Sequence, residues 1–150
     1  MKFQIVLLCL FFLVELNATP FYFKSYDMED GLSNNHVTCC VQDDYGFMWF
    51  GTRDGLNRFD SKKFYTFKSY SSEKGSLMSS YILDLAKSPT GQIWVSTNLG
   101  LQKYDYQTDS FTLIDFTKGI NCYSLQFDQQ GNLWMILNGY SLVKLSLIHI

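Results

Sequence analysis

Residues 46–60 read GFMWFGTRDGLNRFD, and residues 91–105, GQIWVSTNLGLQKYD, repeat the pattern. A weaker third copy begins at Gly131. The glycines and tryptophans that recur in phase are Gly46, Trp49, Gly55, Gly91, Trp94, Gly100, Gly131 and Trp134. A period of about 40–45 residues with strand-like content is typical of propeller blades. Because the tryptophans recur inside strands, we predict that they are core residues.

The first complete unit divides into four short apolar segments separated by turn signals. The segments are 37–42, 47–52, 56–60 and 64–70, and the turns between them contain Asp, Gly, Ser and Lys. Both faces of the second segment are apolar, which suits a sheet covered on both sides by neighbouring sheets. The small residue at Gly51 or Ser96 is predicted to admit a bulky tryptophan from the next sheet.

These patterns predict an all-β fold of four-stranded antiparallel β-propeller blades. Residues 31–70 form one blade, 77–116 a second and 120–150 a partial third, which gives about two and a half to three blades of an incomplete ring. A closed ring typically needs about four to eight blades. We therefore expect residues 20–150 to be the N-terminal fragment of a longer propeller domain, or the product of a truncated gene.

Residues 20–30 are predicted to be a closing outer strand. The sequence Phe23-Lys24-Ser25-Tyr26 recurs in full at residues 67–70, in the last strand of the first blade. A chain that begins with the last strand of a repeat can pair it with the final blade, which closes the ring and removes a free sheet edge.

The first nineteen residues resemble a secretory signal. Lys2 precedes a run from Phe3 to Val14 that is apolar except for Gln4, and Ala18 supplies a small residue for cleavage. The run is short for a bilayer span, although a retained anchor is the alternative. We predict an exported protein.

Charge and cysteine usage argue against nucleic-acid binding and against a metal site. The formal net charge of −2 gives no indication of nucleic-acid binding. Cys39, Cys40 and Cys122 remain after signal removal, and we interpret them as buried free thiols. The two histidines are far apart and no paired cysteine spacing is present, so we expect no metal site and no cofactor.

Residues 31–60, GLSNNHVTCCVQDDYGFMWFGTRDGLNRFD, resemble the two-component regulator propeller repeat. That repeat opens the periplasmic sensor region of hybrid histidine kinases in Bacteroidetes. The matching positions are Gly31, Leu32, Ser33, Val37, Gln42, Asp43, Gly46, Trp49, Gly51, Thr52, Gly55, Leu56, Phe59 and Asp60. The pattern stays close up to Asp105 and loosens after Gly131.

The resemblance implies a sensor on the periplasmic face of a full-length inner-membrane protein. It implies a membrane crossing, a kinase core, a receiver and a DNA-binding domain downstream, a homodimeric full-length form, and an oligosaccharide or other small ligand as partner. None of the downstream machinery lies in these residues. His149 stands among apolar neighbours at the chain end and does not fit a phosphoacceptor.

The motif most like an enzyme signature starts at Asp44. Asp44 to Trp49 is similar to the DxGxxW core of the Asp-box turn of sialidase-type propellers, but that turn is structural. Pro89 and Gln129 replace Asp44 in the later copies, and the chain offers only Arg53 and Arg58 to hold a substrate carboxylate. We predict no catalytic residue in this chain.

Ligand binding is predicted at one end of the blades. The connection into the first strand and the turn between the second and third strands lie at the same end of a four-stranded blade. The candidate ligand-binding residues there are Asn35, His36, Arg53, Asp54, Asn98 and Tyr140, with Asn34, Ser79, Ser80, Asn121 and Asn138 beside them. The alternative is that Asn, Asp and Ser simply form turns.

Three functions remain open from the sequence. The favoured one is a periplasmic propeller that senses a glycan or similar nutrient for a histidine kinase. The alternatives are a secreted propeller enzyme acting on polysaccharide and a protein-binding propeller scaffold. A scaffold would show an apolar exposed rim rather than one rich in amides.

Overall fold

The computed structural model describes residues 21–70 and 73–147, which form three antiparallel sheets. The predicted signal and His149 lie outside the described residues. The strands are β1 (Val37–Gln42), β2 (Met48–Thr52), β3 (Gly55–Phe59), β4 (Phe64–Phe67), β5 (Ile82–Lys87), β6 (Ile93–Thr97), β7 (Gly100–Asp105), β8 (Ser110–Leu113), β9 (Cys122–Phe127), β10 (Leu133–Leu137) and β11 (Ser141–Leu145). A single-turn 3-10 helix at Asp115–Thr117 precedes β9. None of the described residues belongs to a helix long and apolar enough to cross a membrane.

Each sheet is built from strands that follow one another along the chain. The first sheet has the order β1-β2-β3-β4, the second β5-β6-β7-β8, and the third β11-β10-β9. The sheets pack through their first strands, with β1 against β5 and β5 against β9. Successive meander sheets joined at their first strands are propeller blades, so the predicted all-β propeller fold is confirmed.

Two apolar clusters fill the spaces between the blades. Trp49 is 0% exposed and packs with residues of the second blade, among them Ile93 and Tyr104. Trp94 is 2% exposed and packs with residues of the third blade. Trp134 is only half-buried, because it lies on the face of the third blade that no other described blade covers. The indoles of Trp49 and Trp94 are therefore each buried by the blade that follows their own.

The small residue at position 51 admits an isoleucine, so the predicted tryptophan partner is wrong. A Cβ placed on Gly51 would lie 2.6 Å from Ile82 Cγ2 and 2.5 Å from Cys39 Sγ. Ile82 begins β5, the strand that packs against β1. Gly51 thus lets the inner strands of neighbouring blades approach, whereas Trp49, two positions earlier in β2, packs against the second blade from the same face.

Polar contacts also join the inner strands. The Thr38 hydroxyl donates to the Ile82 carbonyl at 3.0 Å. One oxygen of Asp84 accepts the Leu125 backbone N–H at 2.7 Å. Burial raises the pKa of Asp84, against the lowering effect of the N–H groups of Leu125 and Leu85. Each pair of neighbouring blades is therefore tied at its centre by at least one hydrogen bond.

Residues 21–30 form no strand in this chain. Phe21, Tyr22 and Phe23 are 88–94% exposed, and the segment touches the first blade through Tyr26, whose ring lies 5.1 Å from that of Phe59. A strand needs a partner edge, and the predicted partner was a closing blade. Pairing with such a blade stays a prediction.

The three described cysteines are free, but they are not all buried. Cys122 is buried, Cys39 is half-buried and Cys40 is exposed. Neighbouring side chains of a strand point to opposite faces, so Cys40 cannot share the blade interface that covers Cys39. Burial raises the pKa of both the Cys39 and the Cys122 thiol to about 11, which keeps them protonated near neutral pH.

Candidate functional site: the rim formed by the inner turns

The predicted ligand-binding residues lie at one end of the blades, which we call the rim. The rim consists of residues 33–36, 53–54, 78–81, 98–99, 119–121 and 138–140. In each blade the rim begins at the level where the first strand starts and the second strand ends. The register pairs at this level are Val37 with Thr52, Ile82 with Thr97 and Cys122 with Leu137. The same antiparallel register therefore sets the position of all three parts of the rim.

Hydrogen bonds join the rim within and between blades. The Arg53 N–H donates to the His36 carbonyl at 3.2 Å, and the Asn138 N–H donates to the Asn121 carbonyl at 2.8 Å. Between blades, the Gly55 N–H donates to the Ser80 carbonyl at 2.7 Å, and the Gly119 N–H to the Leu99 carbonyl at 2.9 Å. The rim is thus one continuous surface across the three blades.

Threonine hydroxyls shape the rim turns of the first two blades. Thr52 Oγ1 accepts the Asp54 N–H at 3.1 Å and donates to the Gly55 carbonyl at 2.8 Å. Thr97 makes the same two contacts one blade later, at 3.1 Å each. In the third blade Leu137 cannot do so, and Asn138 takes a positive φ of 52° instead. The loosened repeat after Gly131 therefore corresponds to a different turn.

Several candidate residues are occupied by contacts within the protein. Asn35 Oδ1 accepts the Met28 N–H at 2.9 Å, and Asn34 Oδ1 accepts the His36 N–H at 2.8 Å. Asp54 pairs with Lys68 at 2.7 Å. Asn34, Asn35 and Asp54 thus form or brace turns, which was the alternative reading of these residue types.

Four candidates have a side-chain group that bonds no described residue. His36 and Arg53 are exposed and adjacent, and Tyr140 is 82% exposed. Asn98 Oδ1 is buried in the rim without a hydrogen-bond partner among the described residues. An imidazole, a guanidinium, an amide and a phenol can together bind hydroxyl groups, acidic groups and sugar ring faces.

An apolar hollow lies away from the rim. It has a volume of about 420 Å³ and lies on the face of the first blade that no other described blade covers. Its lining residues are Tyr26, Leu32, Val37, Met48, Phe50, Phe59 and Phe64. Met48 and Phe50 hold the strand positions that Ile93 and Val95 hold in the second blade, where both are fully buried. This face therefore has the side chains of a blade interface.

At the end opposite the rim, the β1–β2 turn of the first blade contains an aspartate whose bond to the tryptophan was not predicted from the sequence. Asp43 Oδ1 accepts the N–H groups of Tyr45 and Phe47 at 3.0 and 2.9 Å. Its Oδ2 accepts the indole N–H of Trp49 at 2.8 Å and the hydroxyl of Tyr106 at 3.1 Å. Asp43 rather than Asp44 therefore holds the turn, which corrects the Asp-box alignment.

The third blade repeats this turn around Asp128. Its carboxylate accepts the N–H groups of Gln130 and Asn132 and the indole N–H of Trp134, the last at 2.9 Å. Desolvation raises the pKa of Asp128, but these bonds and those of the Asn132 side chain outweigh it and lower the pKa to about 2. The signal in the sequence was the residue six positions before each tryptophan: Asp43, Ser88 and Asp128.

The fold and the repeated turns define a β-propeller. Comparisons with known proteins show which propeller family the chain resembles. Residues 31–54 match the family model described as two-component regulator propeller. The chain therefore carries this repeat, and the resemblance drawn from residues 31–60 is confirmed.

The relatives are much longer than this chain. A histidine kinase of Formosa agariphila is 46% identical over 67 residues, which is 43% of this chain and 5% of that protein. The extracellular domain of a protein assigned as a hybrid two-component system of B. thetaiotaomicron is 28% identical, with a TM-score of 0.75 over 87% of this chain and 19% of that one.

Two further structures support the fold alone. The extracellular domain of another B. thetaiotaomicron system is 20% identical, with a TM-score of 0.66 over 83% of this chain and 18% of that one. PorZ, a surface component of the type-IX secretion system of Porphyromonas gingivalis, is 14% identical, with a TM-score of 0.56 over 83% of this chain and 19% of that one. The extracellular origin of the 28% identical hybrid two-component neighbour agrees with an exported region.

Proposed function

We propose that this chain is the N-terminal part of the ligand-sensing propeller of a hybrid two-component histidine kinase. The observation that supports this most directly is the similarity to the extracellular domain of such a system over 87% of the chain at 28% identity. The match to a histidine kinase over 67 residues points to the same class of protein. On this proposal the full-length protein lies in the inner membrane as a homodimer, with the propeller on the periplasmic side.

The proposed ligand is a glycan or a similar nutrient, bound at the rim. His36 and Arg53 supply donors at the first blade, Asn98 an unpaired acceptor at the second and Tyr140 an exposed ring at the third. Pockets that bind small molecules combine a few convergent polar groups with an aromatic surface. The chain performs no chemistry on the ligand. It transmits a signal because the ligand binds one conformation of the sensor better than another.

Calorimetry of the complete ectodomain against a panel of oligosaccharides tests the proposal. One member of the panel should bind, and Arg53→Ala and Tyr140→Ala should each weaken binding about 5- to 30-fold, the effect of losing a typical contact of about 1–2 kcal/mol. Lys62→Ala and Tyr45→Ala are matched controls, because both side chains are exposed in turns at the opposite end of the first blade. Silence across the panel, or equal losses in rim and control variants, would contradict a glycan sensor with its site at the rim.

A further inference from the structure

The three blades repeat the pairing of an indole with a cation, and two of them add a carboxylate that accepts the indole N–H. The register pairs Trp49 with Arg58 and Trp94 with Lys103 in the next strand, and Trp134 with Lys144. In the first and third blades a carboxylate accepts the indole N–H, from Asp43 and Asp128 respectively. In the third blade the cation also approaches that carboxylate, with Lys144 Nζ 4.0 Å from Asp128 Oδ2.

The second blade keeps the donors and the cation but lacks the carboxylate. Ser88 takes the place of the aspartate, and its hydroxyl accepts the Gln92 N–H at 3.1 Å and bonds the Thr90 hydroxyl at 2.9 Å. The hydroxyl does not reach the indole, so Trp94 Nε1 is buried without a partner in the described part of the chain. Buried indole N–H groups usually find an acceptor.

A hollow lies beside this unpaired donor. It has a volume of about 210 Å³, and its lining residues are Ser88, Thr90, Gln92, Trp94, Lys103 and Leu147. Lys103 Nζ lies 5.6 Å from the centre of the Trp94 ring, and Lys103 makes no ion pair with any described residue. The hollow is therefore lined by a cation, two hydroxyls and the indole that carries the unpaired N–H, with room for a few atoms.

We propose that the second blade binds a small free carboxylate, such as formate or acetate, in the place of the missing aspartate side chain. One carboxylate oxygen accepts the Trp94 indole N–H and faces Lys103, and the other faces the hydroxyls. Asp128 divides its partners in this way, with Oδ2 toward the indole and Lys144 and Oδ1 toward the N–H groups of the turn. A bidentate acceptor fits this division better than a spherical anion. The site lies at the packing between the second and third blades, so binding strengthens that interface.

Thermal unfolding in formate tests the site. Formate replaces chloride at constant ionic strength up to about 0.2 M, and the unfolding midpoint of the 150-residue chain should rise by about 2–4 °C. Ser88→Asp supplies the carboxylate covalently, so its midpoint should be higher without formate and should not respond to it. Asp128→Ser creates the same vacancy beside Lys144 and should increase the response. Equal responses of wild type and Ser88→Asp would overturn the proposal.

NMR of the indole N–H groups gives a readout that does not depend on variant stability. The Trp94 indole resonance, identified by its loss in Trp94→Phe, should move on formate addition while those of Trp49 and Trp134 stay in place. Lys103→Gln should weaken the effect, with about a tenfold higher formate concentration needed for half of the shift. A Trp94 resonance that does not move with formate would show that no carboxylate reaches the indole.

Discussion

Replacing Asp43 by serine would give the first blade the arrangement that the second blade already has. Asp43 is 4% exposed and its carboxylate accepts four hydrogen bonds. A serine would keep one of them, since Ser88 Oγ holds the Gln92 N–H in the equivalent position. Tyr45 is exposed, so its N–H can bond water instead. The Trp49 indole N–H is enclosed by the core and would be left unpaired.

The magnitude follows from these contacts. A hydrogen bond to a charged group contributes about 1.5–3 kcal/mol, and a buried donor left unpaired costs about 1–3 kcal/mol. The Tyr106 hydroxyl is half-buried and can recover part of its loss by bonding water. Asp43→Ser should therefore lower the free energy of unfolding by about 2–4 kcal/mol.

Asp44→Ser is the matched control, since Asp44 is the next residue and carries the same group. Asp44 pairs with Lys87 at 2.5 Å, but its side chain is 58% exposed. Exposed ion pairs contribute about 0–1 kcal/mol. Urea unfolding followed by tryptophan fluorescence measures both variants by linear extrapolation. Equal losses in the two variants would refute the assignment of the turn to Asp43.

Three further predictions concern packing and pH. Gly51→Ala should lower the free energy of unfolding by about 1–3 kcal/mol through overpacking, and by less when Ile82 is also replaced by alanine. Urea unfolding of the two single variants and the double variant measures this difference. Additive losses would contradict the close approach of Gly51 and Ile82. Trp49→Ala should cost about 3–5 kcal/mol and Trp134→Ala clearly less, because Trp134 is half-buried; equal midpoints in urea would argue against blade order as described. The pKa of Asp128 falls from 3.8 to about 2 on folding. The ionised carboxylate therefore stabilises the folded state above about pH 4, and this stabilisation is lost as the pH falls toward 2. The stability difference between wild type and Asp128→Asn should therefore shrink across that window in thermal unfolding, and a constant difference would speak against it.

Much of the fold was predictable because its signals are local. Strand alternation and the Asp-Gly and Gly turns depend on neighbouring residues, so the repeated stretch gave the four strands of the first blade within a residue or two, except for the end of β4. The rim followed from the same logic, because connection and turn lie at the same end of any meander sheet. The roles of the individual rim residues could not be predicted in the same way. Asn35 and Asp54 have the composition of a binding site, but Met28 and Lys68 occupy them.

The sequence by itself determined that this protein is an array of tryptophan-bearing antiparallel sheets, because strand period and turn chemistry act over a few residues. Only the tertiary structure decided that Ile82 fills the space over Gly51, and that Asp43 rather than Asp44 accepts the Trp49 indole. It also decided that Trp94 lacks an acceptor while Trp134 remains half-buried. These outcomes depend on which side chains of a neighbouring blade arrive at a given point. Burial and hydrogen bonding across an interface join residues far apart in the chain. Local sequence patterns therefore do not predict these contacts.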